Sequence, residues 1–238
     1  MKILAMDTSG AHGAVALLEG ERVVMASGFT GQAGHVVGLP LTLERLLKEV
    51  GWRTGDLNRL AVTLGPGSFS GVRMALGVAK GLAVVHGMPV VGFSTLEVVA
   101  AGAGVEGDVA AVLDARRGEV YAAVYTLATG HPPGVQMVPG VWDPGRLAAA
   151  LQAWKARSGV SLTLVGDGLS VYPELLQRLV DRQCQAADPA AWPLDVRLLG
   201  RMAARWGHDR EPCATLLEPL YVRHADAKEP GGVVVGGA

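Results

Sequence analysis

The sequence predicts an α/β protein built from two similar lobes, each with a mixed sheet flanked by helices. Two observations carry this prediction. Strand-like and helix-like apolar periods alternate in the same order in both halves of the chain. A local pattern also occurs twice, at residues 3–17 and 111–122: an apolar strand ending in aspartate, a short turn, and a return strand led by glycine. Because many α/β proteins end a strand in aspartate, the repeated order of elements is the stronger argument for a duplication.

The first half predicts five strands and three helices. The strands have period-two or continuous apolar patterns, whereas apolar residues recur at helical spacing from Val36 to Val50, with Gly51 as a stop. Ser94 and Glu97 have the spacing of a capping box, which predicts a helix start. The predicted strands are 2–6, 13–18, 22–27, 60–64 and 90–93, and the predicted helices are 36–50, 70–86 and 94–103.

The second half predicts the same order again. Asp143 is a candidate N-cap followed by Pro144 at the first helical position, and Ser170 and Asp195 are candidate N-caps of two later helices. Gly207 is the expected stop of the last helix. The predicted strands are 109–114, 120–127, 135–138 and 162–165, and the predicted helices are 143–156, 170–180 and 195–206.

The repeat divides the chain into a first lobe at 1–103, a second lobe at 104–223 and a C-terminal tail at 224–238. Two such halves describe the duplicated actin-like fold, also called ribonuclease-H-like or ASKHA, of actin, Hsp70 and sugar kinases. Half of the 238 residues are hydrophobic and the formal net charge is −1. This composition favours a sizeable core and gives no basic field for holding nucleic acid by electrostatics alone.

The cellular setting is also an expectation from the sequence. The apolar stretch after Met1 is too short for a signal peptide, and no stretch reads as a membrane span. Cys184 and Cys213 have no metal-like partners and are too few for a disulfide scaffold. We therefore expect a soluble protein of the reducing cytoplasm, with no membrane partner.

In this fold, two strand–turn–strand loops face each other and hold nucleotide phosphates. The first would use Asp7, Thr8 and Ser9, which offer hydroxyls and a carboxylate suited to a metal. The second, at Asp114 and Arg116, carries side chains where glycine would let backbone approach phosphate. Two interpretations remain open for it: arginines that pair with phosphate, or a hairpin turn with exposed arginines.

No other arrangement of residues predicts catalysis. The six histidines are never three or four residues apart, no Gly-x-Ser-x-Gly elbow occurs, and the glycine-rich segment 65–71 lacks the Gly-Lys-Ser/Thr of a P-loop. We predict no catalytic residue, no metal site and no intrinsic cofactor.

The helix at 70–86 is the element most informative about function, because it has two apolar stripes and little charge. A surface helix normally has one such stripe, and the helix at 36–50 has a similar excess. The two helices predict either an exposed apolar surface for a partner or burial by the second half of the same chain.

Four stretches resemble the TsaB family, also called YeaZ. Residues 65–73, Gly-Pro-Gly-Ser-Phe-Ser-Gly-Val-Arg, are similar to the family signature Gly-Pro-Gly-Ser-Phe-Thr-Gly-Leu/Val-Arg, and Ser70 conserves the hydroxyl of the commoner threonine. Residues 3–9, 114–121 and 217–223 match three further family stretches. The resemblance runs from Met1 to about Arg223.

The resemblance implies a non-catalytic scaffold that binds and activates TsaD, its catalytic paralogue, through the two first-lobe helices, or that pairs with a second copy. It also implies that TsaE, an ATPase, joins the pair, so that ATP, ADP and metal belong to those partners and tRNA is reached only through the complex. The complex transfers threonylcarbamoyl to the adenosine 3′ of the anticodon in tRNAs that read codons beginning with A. TsaD carries His-x-x-x-His, whereas Leu39 follows His35 by four positions here. The implied interface residues are Val37, Leu41, Arg73, Met74, Val78, Gly81 and Val85.

Two alternatives remain open. A stand-alone actin-fold ATPase or small-molecule kinase would use Asp7, Thr8 and Asp114. A stand-alone metallopeptidase would require a bound metal, for which the sequence offers no ligand set.

Overall fold

Two five-stranded mixed sheets, with helices on both faces of each, make up the protein in a computed structural model. The structure describes residues 1–30, 34–181, 183–188, 193–210 and 217–222. The predicted tail at 224–238 lies outside the described residues.

The first half contains the predicted elements with small changes of boundary. The strands are β1 (Lys2–Asp7), β2 (Gly13–Glu19), β3 (Arg22–Phe29), β4 (Arg59–Thr63) and β5 (Val90–Phe93), and the helices are α1 (Gly34–Val50), α2 (Phe69–His86) and α3 (Thr95–Ala101). Helix α2 begins with a Ser68 side chain that accepts from the Gly71 N–H, and it ends at Gly87 in the left-handed conformation.

The second half contains one strand more than predicted. The strands are β6 (Gly107–Arg116), β7 (Glu119–Leu127), β8 (Gly134–Trp142), β9 (Leu162–Val165) and β10 (Cys184–Ala186), and the helices are α4 (Pro144–Ser158), α5 (Gly168–Val171), α6 (Pro173–Leu179) and α7 (Val196–Trp206). Asp143 and Asp195 cap α4 and α7 as predicted.

The two sheets have the same topology, which confirms the duplicated actin-like fold. The first has the order β3-β2-β1-β4-β5, and the second the equivalent order β8-β7-β6-β9-β10. In each sheet the first three strands form an antiparallel meander, and the last two strands run parallel to the first.

The central strands of each sheet are buried on both faces. Alternate residues of the first sheet pack against α1 and α2 on one face and against α7 on the other. The second sheet packs against α4 and α6 on its outer face and against α3 on its inner face. Helices α3 and α7 therefore lie between the sheets, and α1 and α2 lie on the opposite, outer side of the first sheet.

Two helices pack on the sheet of the other half of the chain. Helix α3 falls within 1–103 but packs mainly on the second sheet, where Leu96 and Val99 join the cluster around Ala111 and Tyr125, while Val98 joins the cluster of the first sheet. Helix α7 falls within 104–223 but packs on the first sheet. Periodicity shows that a helix has an apolar face and does not identify the sheet that covers it.

One predicted cap is wrong. Ser170 lies inside α5, and the helix predicted from it is interrupted at Tyr172, because Pro173 has no N–H and disfavours helical backbone in the residue before it. Ser94 is the N-cap residue of α3, which confirms the predicted helix start, but its side chain makes no capping hydrogen bond. The Glu97 side chain pairs instead with Arg210, with Nη1 and Oε1 at 2.9 Å.

None of the helices in the described ranges is long and apolar enough to cross a membrane.

Candidate partner-binding surface and interlobe cleft

The first candidate nucleotide loop is buried. Asp7, Thr8 and Ser9 are at most 5% exposed. The Asp7 Oδ1 atom accepts hydrogen bonds from the Ser9 N–H at 3.0 Å, the Ser9 hydroxyl at 2.7 Å and the Thr63 hydroxyl at 2.5 Å. The carboxylate is thus held by three donors of its own lobe.

The glycine-rich segment 65–71 covers this loop. The Thr8 hydroxyl donates to the Gly71 carbonyl at 2.6 Å, and the Ser68 N–H donates to the Ser9 carbonyl at 2.7 Å. The contact is close because Gly71 has no side chain: a Cβ atom there would overlap the Thr8 carbonyl oxygen. The hydroxyl that would meet a phosphate is therefore bonded within the protein.

The second candidate loop is a hairpin turn between β6 and β7. Arg116 and Arg117 both have left-handed backbone, with φ of 61° and 58°, and Gly118 follows with φ of 80°. Such backbone suits a tight hairpin and disfavours residues with a Cβ atom. The Arg116 side chain is 80% exposed and pairs with Asp114 of the same turn, Nη1 to Oδ2, at 3.2 Å. The structure agrees with the hairpin interpretation.

Asp167, which follows β9 and precedes α5, holds this turn. Its Oδ1 atom accepts from the Asp114 N–H at 3.1 Å. Desolvation raises the pKa of the Asp167 carboxyl, and the nearby Asp114 carboxylate acts in the same direction. Local sequence gives no sign of this contact, because the two residues are 53 positions apart.

A cleft of about 500 Å³ separates the two loops. Its walls are the segment 64–67, the turn 115–117 and the returning chain 219–222, with Phe69, Val72 and Tyr121. Asp7, Thr8 and Ser9 do not line it, because the glycine-rich segment lies over them. The cleft therefore has no phosphate loop in its first wall. Within the described part of the chain, no three His, Cys, Asp or Glu residues group as metal ligands.

Among the described residues, the outer face of α1 and α2 is open to solvent, and the described part of the second half does not cover it. Val37 is 46% exposed, Leu41 59% and Val85 74%, and Gly81 is also exposed. Met74 and Val78 are half-buried and pack against the first-lobe core. Val84, 74% exposed, was missed because it falls outside both apolar stripes of the sequence.

One stripe along α2 is formed by Arg73, Gly77, Gly81 and Val84, and we call it the glycine stripe. Helical geometry places these positions on one face, opposite the buried Ala75, Ala79 and Ala83. A Cβ atom at Gly77 or Gly81 would meet no other described part of the chain within 4 Å. Intrachain packing thus gives no reason for either glycine.

Arg73 is fixed by two aromatic rings. Its guanidinium carbon lies 3.7 Å from the centroid of the Phe69 ring and 5.6 Å from that of Tyr221. Its Nε–H donates to the Tyr221 hydroxyl at 2.9 Å, and the two ring centroids are 5.7 Å apart. The family resemblance implied that Arg73 is an interface residue, but its contact with Tyr221 could not be predicted, since the two residues are 148 positions apart.

The chain is similar to proteins of one tRNA-modification pathway. A family model described as "TsaD: tRNA N6-adenosine threonylcarbamoyltransferase" matches residues 30–133. The "tRNA threonylcarbamoyladenosine biosynthesis protein TsaB" of Escherichia coli (strain K12) is 32% identical over 244 residues, covering 97% of this chain and 99% of the relative.

Two further comparisons extend this likeness. The structure of YeaZ from Pseudomonas aeruginosa superposes with a TM-score of 0.76 at 31% identity, over 92% of this chain and 99% of that chain. The tRNA N6-adenosine threonylcarbamoyltransferase of Paracoccus denitrificans (strain Pd 1222) is 33% identical over 112 residues, 40% of this chain and 32% of the relative.

Proposed function

This chain belongs to the TsaB (YeaZ) family of tRNA threonylcarbamoyladenosine biosynthesis proteins, and we propose that it acts there as the non-catalytic partner of a TsaD-like threonylcarbamoyltransferase. In this role it docks through α1 and α2 and activates the transferase. A TsaE-like ATPase joins the pair, so ATP, ADP and metal belong to those partners, and tRNA is reached only through the complex. The group transferred is threonylcarbamoyl, and the acceptor is the adenosine 3′ of the anticodon in tRNAs that read codons beginning with A.

The observation that carries the proposal is the glycine stripe on an exposed helix. Glycine inside a helix costs about 1 kcal/mol relative to alanine. Gly77 and Gly81 bear this cost on one open face, although alanine would fit there without a clash. Small residues four apart let the backbone of a second helix approach closely, a contact that would use the space left by the two missing side chains.

The surroundings of the stripe have the character of an interface. Leu41 and Val85 add exposed apolar area on the two helices, and exposed apolar patches mark contact sites for other proteins. The TsaD-type family model spans both helices. A TsaD-like partner therefore carries related segments, and pairing of two similar helix pairs is the arrangement we propose. The same surface would serve a homodimer in the absence of the partner.

Catalytic inactivity is supported by the two candidate nucleotide loops. Asp7 and Thr8 direct their hydrogen-bonding atoms to Thr63, Ser9 and Gly71, and the second loop presents exposed arginines in a strained hairpin. A stand-alone ATPase or kinase would need these groups to face the cleft. We expect the isolated chain to turn over no ATP, and turnover that is abolished by Asp7→Ala in a chain that remains folded would establish that alternative instead.

The test of the proposal is size-exclusion chromatography of the chain mixed with the TsaD-like protein of the same organism. We expect co-elution of the wild-type pair and loss of co-elution for Gly81→Leu, which fills the stripe, and for Leu41→Glu, which places a charge on the apolar surface. Leu41 suits the test better than Val78, because Val78 also packs in the core and its replacement would disturb folding.

A matched control is Ala153→Leu, which adds the same side chain to an exposed position of α4 on the other lobe. This variant should co-elute like the wild type. Equal association of all three variants would contradict the proposal, provided that each has the melting temperature of a folded chain.

A further inference from the structure

Arg73 stands at one end of the glycine stripe, at the last exposed position before the helix reaches its N-terminal turn. Residues 73, 77 and 81 are successive members of an i, i+4 row, so a helix that lies along the two glycines also passes over the Arg73 guanidinium. Phe69 continues the same row and forms the platform beneath the guanidinium.

The guanidinium is held in place before any partner arrives. Stacking on Phe69 fixes its plane, and the hydrogen bond from Nε to the Tyr221 hydroxyl fixes its rotation. Tyr221 is itself carried by the segment 217–222, which is anchored by buried Leu217 and by the Leu220 N–H that donates to the Leu64 carbonyl at 2.6 Å. Most of the side-chain entropy that binding would remove is therefore already lost in the free chain.

Three other exposed arginines pair with a carboxylate, and Arg73 differs from them. Arg45 pairs with Glu49, Arg197 with Asp195 and Arg205 with Glu21, at 3.3, 2.9 and 2.5 Å. Arg73 has aromatic contacts and a neutral phenol as partners, and no carboxylate among the described residues pairs with it. With Nε engaged, the two terminal nitrogens remain as a planar pair of donors, which matches the geometry of a carboxylate.

We propose that Arg73 is a preset carboxylate receptor, which captures an aspartate or glutamate on a helix of the TsaD-like partner and thereby fixes the axial register of that helix along Gly77 and Gly81. The inference rests on the proposed function and adds the chemistry of the contact. The two glycines allow close approach of a partner helix. Because they are identical and about one turn apart, they do not determine the axial register of that helix. A single charged contact at the end of the stripe determines it, as polar contacts do in other helix pairs.

A carboxylate is favoured over an RNA phosphate by the surroundings. Phe69 and Gly77 adjoin Arg73 on the i, i+4 row, the chain as a whole has a net charge of −1, and Arg197 and Arg205 of α7 are paired with acids. A phosphate-binding surface would instead carry several unpaired cations.

The experiment is a calorimetric titration of the full chain with the TsaD-like protein of the same organism. We expect Arg73→Met to weaken association about 10- to 100-fold, and Arg73→Lys to recover only part of it, because lysine lacks the planar fork. Tyr221→Phe keeps the aromatic ring and removes only the hydroxyl that accepts from Arg73 Nε, so we expect the affinity to fall about 3- to 10-fold. Arg205→Met, at an exposed arginine of α7 that pairs with Glu21 away from α1 and α2, is the control and should bind like the wild type.

Replacing the partner's exposed Asp and Glu residues by alanine, one at a time, then identifies the bound group. One of these replacements in the partner should weaken binding to the wild-type chain but should not further weaken binding to the Arg73→Met chain. If Arg73→Met binds like the wild type while Gly81→Leu does not, the proposed role of Arg73 as a carboxylate receptor is wrong and the proposed function stands. If neither variant loses affinity, the proposed function fails as well. If Arg73→Met changes only tRNA binding by the assembled complex, the contact is to phosphate and the carboxylate inference is overturned.

Discussion

At the scale of single residues, Asp7 shows that a carboxylate at the expected sequence position can have a structural role. Its Oδ1 atom accepts from three donors, and the side chain is almost fully buried. Buried donors that lose their acceptor cost the free energy of desolvation without compensation. Asp7 therefore contributes to stability through the loop that it organises.

We expect Asp7→Ala to lower the free energy of unfolding of the isolated chain by about 3 kcal/mol. Urea denaturation without nucleotide measures the change. Asp195→Ala, which removes an exposed helix cap, should cost only about 1 kcal/mol and serves for comparison. An unfolding midpoint for Asp7→Ala equal to that of the wild type would show that the three hydrogen bonds contribute nothing.

Cys184 gives a pH-dependent prediction. Burial raises the pKa of its thiol to about 11, so the folded chain holds this proton at pH values where the unfolded chain, with a thiol pKa of about 8.5, releases it. The unfolded state is then favoured by ionisation, and stability falls as the pH rises from about 8.5 to about 11.

The measurement uses a Cys213→Ser chain, in which Cys184 is the one remaining thiol. We expect Cys184 of the folded chain to react slowly with a thiol reagent at neutral pH. We also expect the free energy of unfolding to decline above about pH 8.5, and this decline should be smaller when Cys184 is also replaced by alanine. Rapid modification of the folded chain would contradict the burial on which the prediction rests.

At the scale of elements, α2 combines poor helix propensity with an essential position between the first sheet and solvent. Its buried side is made of small and branched residues that pack on the sheet, whereas its open side carries the two glycines. Stability of the free chain and affinity for the partner therefore favour different residues on the open side.

Gly77→Ala should change these two properties in opposite directions. We expect the free chain to gain about 1 kcal/mol of stability, since alanine restricts the unfolded backbone and nothing clashes with its methyl group. Association with the TsaD-like partner should weaken about tenfold, because a methyl group enters a close backbone contact. Thermal unfolding and calorimetric titration give the two quantities, and a gain in both would argue against close helix packing at this position.

At the scale of the whole molecule, the two lobes are joined by an exchange of helices. The inner faces of both sheets are covered by α3 and α7, each of which belongs in sequence to the other lobe. Glu97 on α3 meets Arg210, which follows α7, and Arg210 also lies 5.0 Å from the centroid of the Phe93 ring at the end of β5. This ion pair links the two exchanged segments where they cross.

We expect Arg210→Met to destabilise the chain by about 3 kcal/mol, because Glu97 is then left as a buried charge without a partner. The double replacement with Glu97→Gln removes that charge and should recover part of the loss. Chemical denaturation of the four chains gives the coupling between the two sites. If the effects of the two replacements on the free energy of unfolding are additive, the ion pair does not contribute to holding the two lobes together.

Much of the fold follows from local sequence because the period of apolar residues is a local property. It locates the strands and helices to within a few residues, and the repeated order predicts the duplication. The short β10 and the interruption before Pro173 escaped prediction, since three residues carry too little periodicity and a proline effect depends on the exact start of the helix.

The amino-acid sequence by itself determined the repeated elements, the family and the presence of two helices with more apolar surface than one sheet can cover. The tertiary structure decided which face of those helices stays open, that the glycine-rich segment lies over the first loop, and that α3 and α7 exchange lobes. It also brought Tyr221 to Arg73 across 148 positions. The physical reason is that periodicity records how much of an element must be buried, whereas the identity of the surface that buries it depends on contacts between residues far apart in the chain.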